Sequence, residues 1–180
     1  MKKIALLLIC MCLSSCSVNR PDHVPIYVNV CKEYGSALEK SERGLTHTNS
    51  RVGKNGELYF ALEKEGNYTV DEARAILITE VEELLKLFTG TEILCSSLYN
   101  FQDVIDSLNF SLCFILKDSC ELSGRIVTYV SLYNGYVRYY EGHSLCLNDL
   151  KEMHRETLQS ARFCIARENL AKKMASGKAK

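Results

Sequence analysis

The chain predicts an α+β domain: a single antiparallel sheet of about four strands with two main helices packed on one face. Three observations carry that expectation. Arg125 to Tyr140 alternates apolar and polar residues on either side of Asn134-Gly135, a dipeptide suited to a tight hairpin turn. GELYFALEKEG and NFSLCFILK alternate in the same way. The stretches after Thr69 and after Gly142 instead repeat their apolar residues at helical spacing. The order strand, helix, three strands, helix then describes a two-layer domain.

Taken in order, Ile26 to Lys40 opens with two competing periods. Ile26, Val28 and Val30 alternate like a strand, whereas Tyr27, Cys31, Tyr34 and Leu38 recur at helical spacing, and Ala37-Leu38-Glu39-Lys40 tips the balance to helix. Gly44 to Gly56, rich in Thr, Asn, Ser and Gly, reads as a loop or irregular edge. In the first strand Leu58, Phe60 and Leu62 share one side, and Tyr59, Ala61 and Glu63 the other.

Thr69-Val70-Asp71-Glu72 is a capping box, in which hydroxyl and carboxylate satisfy each other's backbone donors. Behind it Ala73, Ile76, Leu77, Val81, Leu84, Leu85 and Phe88 form an apolar stripe that Gly90 ends. Glu80, Glu82 and Glu83 read as the solvated face of that helix. Residues 91–108 are a connector with a helical turn near Phe101 to Ser107, and the second strand follows with Phe110, Leu112, Phe114 and Leu116 on one face.

The Asn134-Gly135 turn pairs Tyr133 with Tyr136, Leu132 with Val137, Ser131 with Arg138, Val130 with Tyr139 and Tyr129 with Tyr140. One face then carries Ile126, Thr128, Val130, Leu132, Val137 and Tyr139. The other carries Tyr129, Ser131, Tyr133, Tyr136, Arg138 and Tyr140. The first is the more aliphatic, so it is expected against the helices, leaving the tyrosines outward around Arg138. A last helix capped by Asn148 or Asp149 aligns Leu150, Met153, Thr157, Leu158, Ala161, Cys164 and Ile165, with His154 at its margin.

The first twenty residues, MKKIALLLICMCLSSCSVNR, open with a processing signal rather than fold. Lys2 and Lys3 precede an apolar run from Ile4 to Leu13, too short to span about 30 Å of hydrocarbon. Leu13-Ser14-Ser15-Cys16 resembles the lipobox of bacterial lipoproteins. That resemblance implies cleavage before Cys16 and acylation of its thiol and freed amine, which anchors the protein in the membrane. Cys10 and Cys12 follow bulky Ile9 and Met11 and leave with the signal. Ser17, where an Asp would imply inner-membrane retention, points to the outer membrane, with the domain facing the periplasm. The division is then 1–15 signal peptide, 16–25 lipidated cysteine and tether, 26–172 one domain, and 173–180 a basic disordered tail.

Removing the signal takes away two lysines and no acid, so the balance of 22 basic against 22 acidic residues tips slightly acidic. That excludes the electrostatic footprint of a nucleic-acid binder. Only two prolines occur, both before Ile26, so the body is not a low-complexity coil.

Beyond Cys16 lie Cys31, Cys95, Cys113, Cys120, Cys146 and Cys164. An exported chain can pair them, while Cys113 and Cys164 fall on apolar faces where a free thiol packs as a small hydrophobe. Small exported thiol peptidases place an Asp-Cys-Ser-Gly stretch at the start of a helix. KDSCELSG here leads into a strand instead.

Cys120 or Cys146 with His143 is the alternative, a small thiol-dependent envelope hydrolase. His143-Ser-Leu-Cys146 has a metal-ligand spacing, but no second close pair completes a closed zinc site. No zinc-protease helix, serine elbow, phosphate loop or dinucleotide fingerprint is present, so no catalytic residue, metal or cofactor is assigned. The favoured expectation is a non-catalytic binding or structural protein of the cell envelope. Its partner is a protein or peptidoglycan, and its binding surface is Tyr129, Tyr133, Tyr136, Arg138 and Tyr140.

Overall fold

A computed structural model describes residues 24–53, 57–89, 105–116, 126–142 and 149–177. The lipobox, the tether before Val24, Gly90, Cys95, Cys120, His143, Cys146 and Asn148 lie outside the described residues. Helix α1 (Val24–Glu39) leads into β1 (Leu45–Val52) and β2 (Leu58–Glu65), and helix α2 (Val70–Thr89) crosses over to β3 (Leu108–Ile115). Then follow β4 (Tyr129–Tyr133), β5 (Tyr136–Glu141), β6 (Lys151–Thr157) and helix α3 (Leu158–Gly177).

The six strands form one sheet in sequence order, and this corrects the expected four-stranded antiparallel sheet with two main helices. β2 and β3 run parallel, all other neighbours antiparallel. The parallel pair follows from the long connection between Glu65 and Leu108, which carries α2 and brings the chain back to the end of the sheet at which β2 began. Both extra strands lie at the sheet's edges. Gly44 to Gly56, expected as a loop, contains β1, and the start of the expected last helix is β6. α3 begins only at Leu158 and continues to Gly177, past the start of the expected tail.

The interior strands follow their period. Leu58, Phe60 and Leu62 of β2, Leu108, Phe110, Leu112 and Phe114 of β3, Val130 and Leu132 of β4 and Val137 and Tyr139 of β5 are all buried on one face. The helices supply the other half of the core: Tyr27, Cys31, Tyr34 and Leu38 from α1, Ala73, Leu77, Ile78, Val81, Leu84, Leu85 and Phe88 from α2, Leu158 and Ala161 from α3. Each fully buried Leu or Phe contributes about 1.5–3 kcal/mol through removal of its apolar surface from water.

The capping box forms as expected. Thr69 N–H donates to Glu72 Oε2 at 2.9 Å, and Glu72 N–H to Thr69 Oγ1 at 3.4 Å. The hairpin register is the expected one in all five pairs. Asn134 at φ 49° and Gly135 at φ 73° make the turn. Alternation breaks just before it: Val127 is buried rather than Ile126 or Thr128, because its N–H bonds Tyr68 O in an isolated bridge outside β4.

Candidate functional site

With the helices on one face, the outer face of the sheet is left half-exposed, and strand pairing arranges its residues in rows. A central row crosses all six strands: Asn49, Ala61, Ser111, Ser131, Arg138 and Arg155. Its middle members are small, so the row forms a shallow trough. On one side stand Tyr59 and, across the hairpin, Tyr133 and Tyr136, the last two 44% and 45% exposed. On the other side Cys113, Tyr129 and Tyr140 are paired in succession, with the two tyrosine rings 5.7 Å apart.

Two arginines lie side by side at the β5–β6 end of the trough. The Arg155 guanidinium stands over the Tyr136 ring at 5.3 Å, and Arg51 stands over Tyr59 at 4.6 Å at the opposite edge. Arg138 Nε is buried and carries no hydrogen bond among the described residues. Burial raises the Tyr129 phenol above its ordinary range, while a hydrogen bond from Ser111 works the other way. Flat aromatic faces, phenolic hydroxyls and guanidinium groups suit stacking and hydrogen bonding with a polar partner.

No protein family, curated protein or solved structure matches the chain.

The structure brings Tyr129, Tyr133, Tyr136, Arg138 and Tyr140 onto one surface and adds Tyr59, Arg51 and Arg155, which the sequence did not connect to them. Tyr59 was legible on the polar side of β2. The arginines were not, since both belong to edge strands that the sequence disguises. Cys120, Cys146 and His143, the thiol and imidazole groups of the alternative reading, lie outside the described residues. The described thiols, Cys31, Cys113 and Cys164, are unpaired. Burial pushes Cys31 up to about 12 and also raises Cys113, so both are held as poor nucleophiles. Among the described residues no group of three or more His, Cys, Asp or Glu is placed to hold a metal ion.

Two polar clusters, each centred on a buried charged side chain, lie on the helix side of the sheet. In the first, the Tyr34 hydroxyl donates to Glu80 Oε2 at 2.6 Å, and Arg43 Nη1 bonds Glu80 at 3.2 Å and Glu83 at 2.6 Å. Glu80 is only 3% exposed, and Glu82 accepts from Arg162 Nε of α3 at 2.5 Å. The acidic face of α2 is thus a set of clamps to neighbouring elements and not a solvated surface. In the second, buried Arg74 donates to Glu156 at 2.7 Å and to Asp71, and Tyr139 donates to the same Glu156 oxygen at 2.6 Å. His154, expected on the last helix, sits on β6 with its ring 5.5 Å from Tyr139. Every carboxylate in these clusters is already occupied by a cation or a hydroxyl, so they read as structural.

Proposed function

We propose that the protein is a lipid-anchored, non-catalytic binding protein of the bacterial cell envelope that holds a protein or peptidoglycan partner on the outer face of its sheet. The observation supporting the binding role is the tyrosine and arginine surface, set on the face opposite a complete core. Tyr133 and Tyr136 stay exposed there although Val130, Leu132 and Val137 in the same hairpin are fully buried. Monomeric proteins seldom leave contiguous aromatic area open without use. The membrane half of the reading rests on the likeness of Leu13-Ser14-Ser15-Cys16 to a lipobox, and the outer membrane on Ser17. Among the described residues no helix is long and apolar enough to cross a membrane, so attachment in this reading is through Cys16.

Two variants test the halves separately. Cys16→Ser is expected to release the protein from membranes or to leave uncleaved precursor, and unchanged size and partitioning would end the lipoprotein reading. Tyr133→Ser/Tyr136→Ser is expected to abolish in-cell crosslinks, or co-sedimentation with isolated peptidoglycan, at unchanged thermal stability. Retention of both interactions would remove the face as the binding site.

A further inference from the structure

α3 carries two opposed faces, and only one is explained by packing. Leu158 and Ala161 are buried against the body, Ile165 packs beside them, and Arg162 is clamped to Glu82 of α2 at 2.5 Å. On the opposite side Phe163, Leu170 and Met174 are 67%, 59% and 59% exposed. At 3.6 residues per turn these three fall within about 40° of one another, and roughly opposite the buried stripe. From Asn169 to Ser176 every residue is exposed, so the last two turns stand clear of the domain. A helix end of that length is marginal in water by itself, and three large apolar side chains in line add a further cost to leaving it bare.

The charge around this seam names the occupant. Residues 166–180 contain Arg167, Lys172, Lys173, Lys178 and Lys180 against the single acid Glu168, in a chain whose 22 basic and 22 acidic residues balance overall. Arg167 and Lys173 flank the seam on either side, at about 40° and 80° from Phe163 on a helical projection, where long cationic side chains can reach outward past an apolar surface. Among the described residues neither takes part in an ion pair.

A second copy of the chain fits less well. A stable interface buries about 800 Å² per partner, more than three side chains on one helix provide, and a two-fold pairing would set the same cations against each other. Apolar residues on one side with basic residues at the flanks are the pattern of a helix lying in the interface of an anionic bilayer.

We propose that α3 is a membrane-surface contact, in which Phe163, Leu170 and Met174 enter the headgroup boundary of an anionic bilayer and Arg167 and Lys173 meet its phosphates. This does not rest on acylation of Cys16, though the two fit together. Residues 17–23 span at most about 25 Å however they run, so an acylated chain would keep the domain within reach of the same bilayer.

The test uses the full mature protein with two vesicle compositions, phosphatidylcholine alone and phosphatidylcholine with phosphatidylglycerol, reading flotation and amide exchange across α3. The expected result is that exchange over residues 166–177 slows about tenfold on the anionic vesicles only, and that Arg167→Glu/Lys173→Glu and, independently, Leu170→Asp/Met174→Asp abolish the slowing. All four positions are exposed, so neither variant disturbs the core. Flotation with both compositions without slowing on either would overturn the proposal and leave the acyl anchor standing. Flotation with anionic vesicles alone would support α3 and count against the anchor. Slowing that needs no vesicles and grows with protein concentration would show a second copy on the seam instead.

Discussion

Arg74 and Glu156 are both almost fully buried and face each other at 2.7 Å, with the Tyr139 hydroxyl on the same carboxylate oxygen. Removing one charge strands the other away from water, which costs far more than the pair contributes over an uncharged equivalent. Arg74→Ala is therefore expected to lower stability by about 3–5 kcal/mol in chemical denaturation. Arg74→Met/Glu156→Gln, which keeps an acceptor for Tyr139, should recover much of that loss. A double variant no more stable than Arg74→Ala would show that cavity formation, not the stranded charge, sets the cost.

Glu83 belongs to the more exposed cluster and acts through pH. Its carboxyl lies below its ordinary value near 4.5 because Arg43 bonds and faces the charged form. Glu72 is lowered too, by the Thr69 backbone and hydroxyl. A depressed folded-state value means that the stability these groups contribute is present above 4.5 and lost as pH falls below it. The gap in thermal midpoint between the protein and Glu83→Gln is thus expected to be widest near neutral pH and to close on acidification. A constant gap would show that Glu83 acts through packing alone.

Among the elements, two glycines separate two kinds of constraint. Gly135 sits at φ 73° in the hairpin turn with open space around it. Gly135→Ala therefore costs only the backbone penalty of the left-handed region, about 1–2 kcal/mol. Gly35 lies within α1 at an ordinary helical position, but an added Cβ there would fall 2.4 Å from His47 Cγ. The ring cannot easily move, since it stacks on Phe60 at 5.0 Å. Gly35→Ala is expected to cost about 1–3 kcal/mol despite the better helix propensity of alanine. His47→Ala in the same chain should relieve only part of it, since His47 Cβ would itself lie 2.7 Å from the added methyl, and urea denaturation of the three variants reads the coupling. The glycine is thus where α1 closes onto β1.

At the scale of the molecule the sheet is one-sided, and substitutions should reveal it. Leu112→Ala on the buried face is expected to cost about 2–5 kcal/mol, whereas Tyr133→Ser and Tyr136→Ser on the outer face should stay within about 0.5 kcal/mol. A comparable loss at the tyrosines would mean that the outer face is covered in the native protein. One-sidedness also explains why the elements differed in legibility. Interior strands bury one face completely, so β2 to β5 carry strict alternation.

Edge strands bury little. LTHTNSRV of β1 is interrupted by a register shift between His47 and Asn49, and KEMHRET of β6 alternates only weakly and has the composition of a helix. Nothing local marks either as a strand. Pairing with β2 and with β5 is what decides them.

By itself the sequence determined the features that rest on local chemistry: the capping box at Thr69, the stripes of α1 and α2, the Asn134-Gly135 turn and, through it, the register and core face of the hairpin. These follow from neighbouring residues, because a turn geometry, a cap or a period acts within one or two turns of chain. Tertiary structure alone decided the sixfold sheet, the parallel β2–β3 pair, the partners of Glu80, Glu82 and Glu83, and the arginines that border the tyrosines. Each of these depends on which segments distant in the chain become neighbours, and the free energy that selects them is spread over a shared core that no single segment encodes.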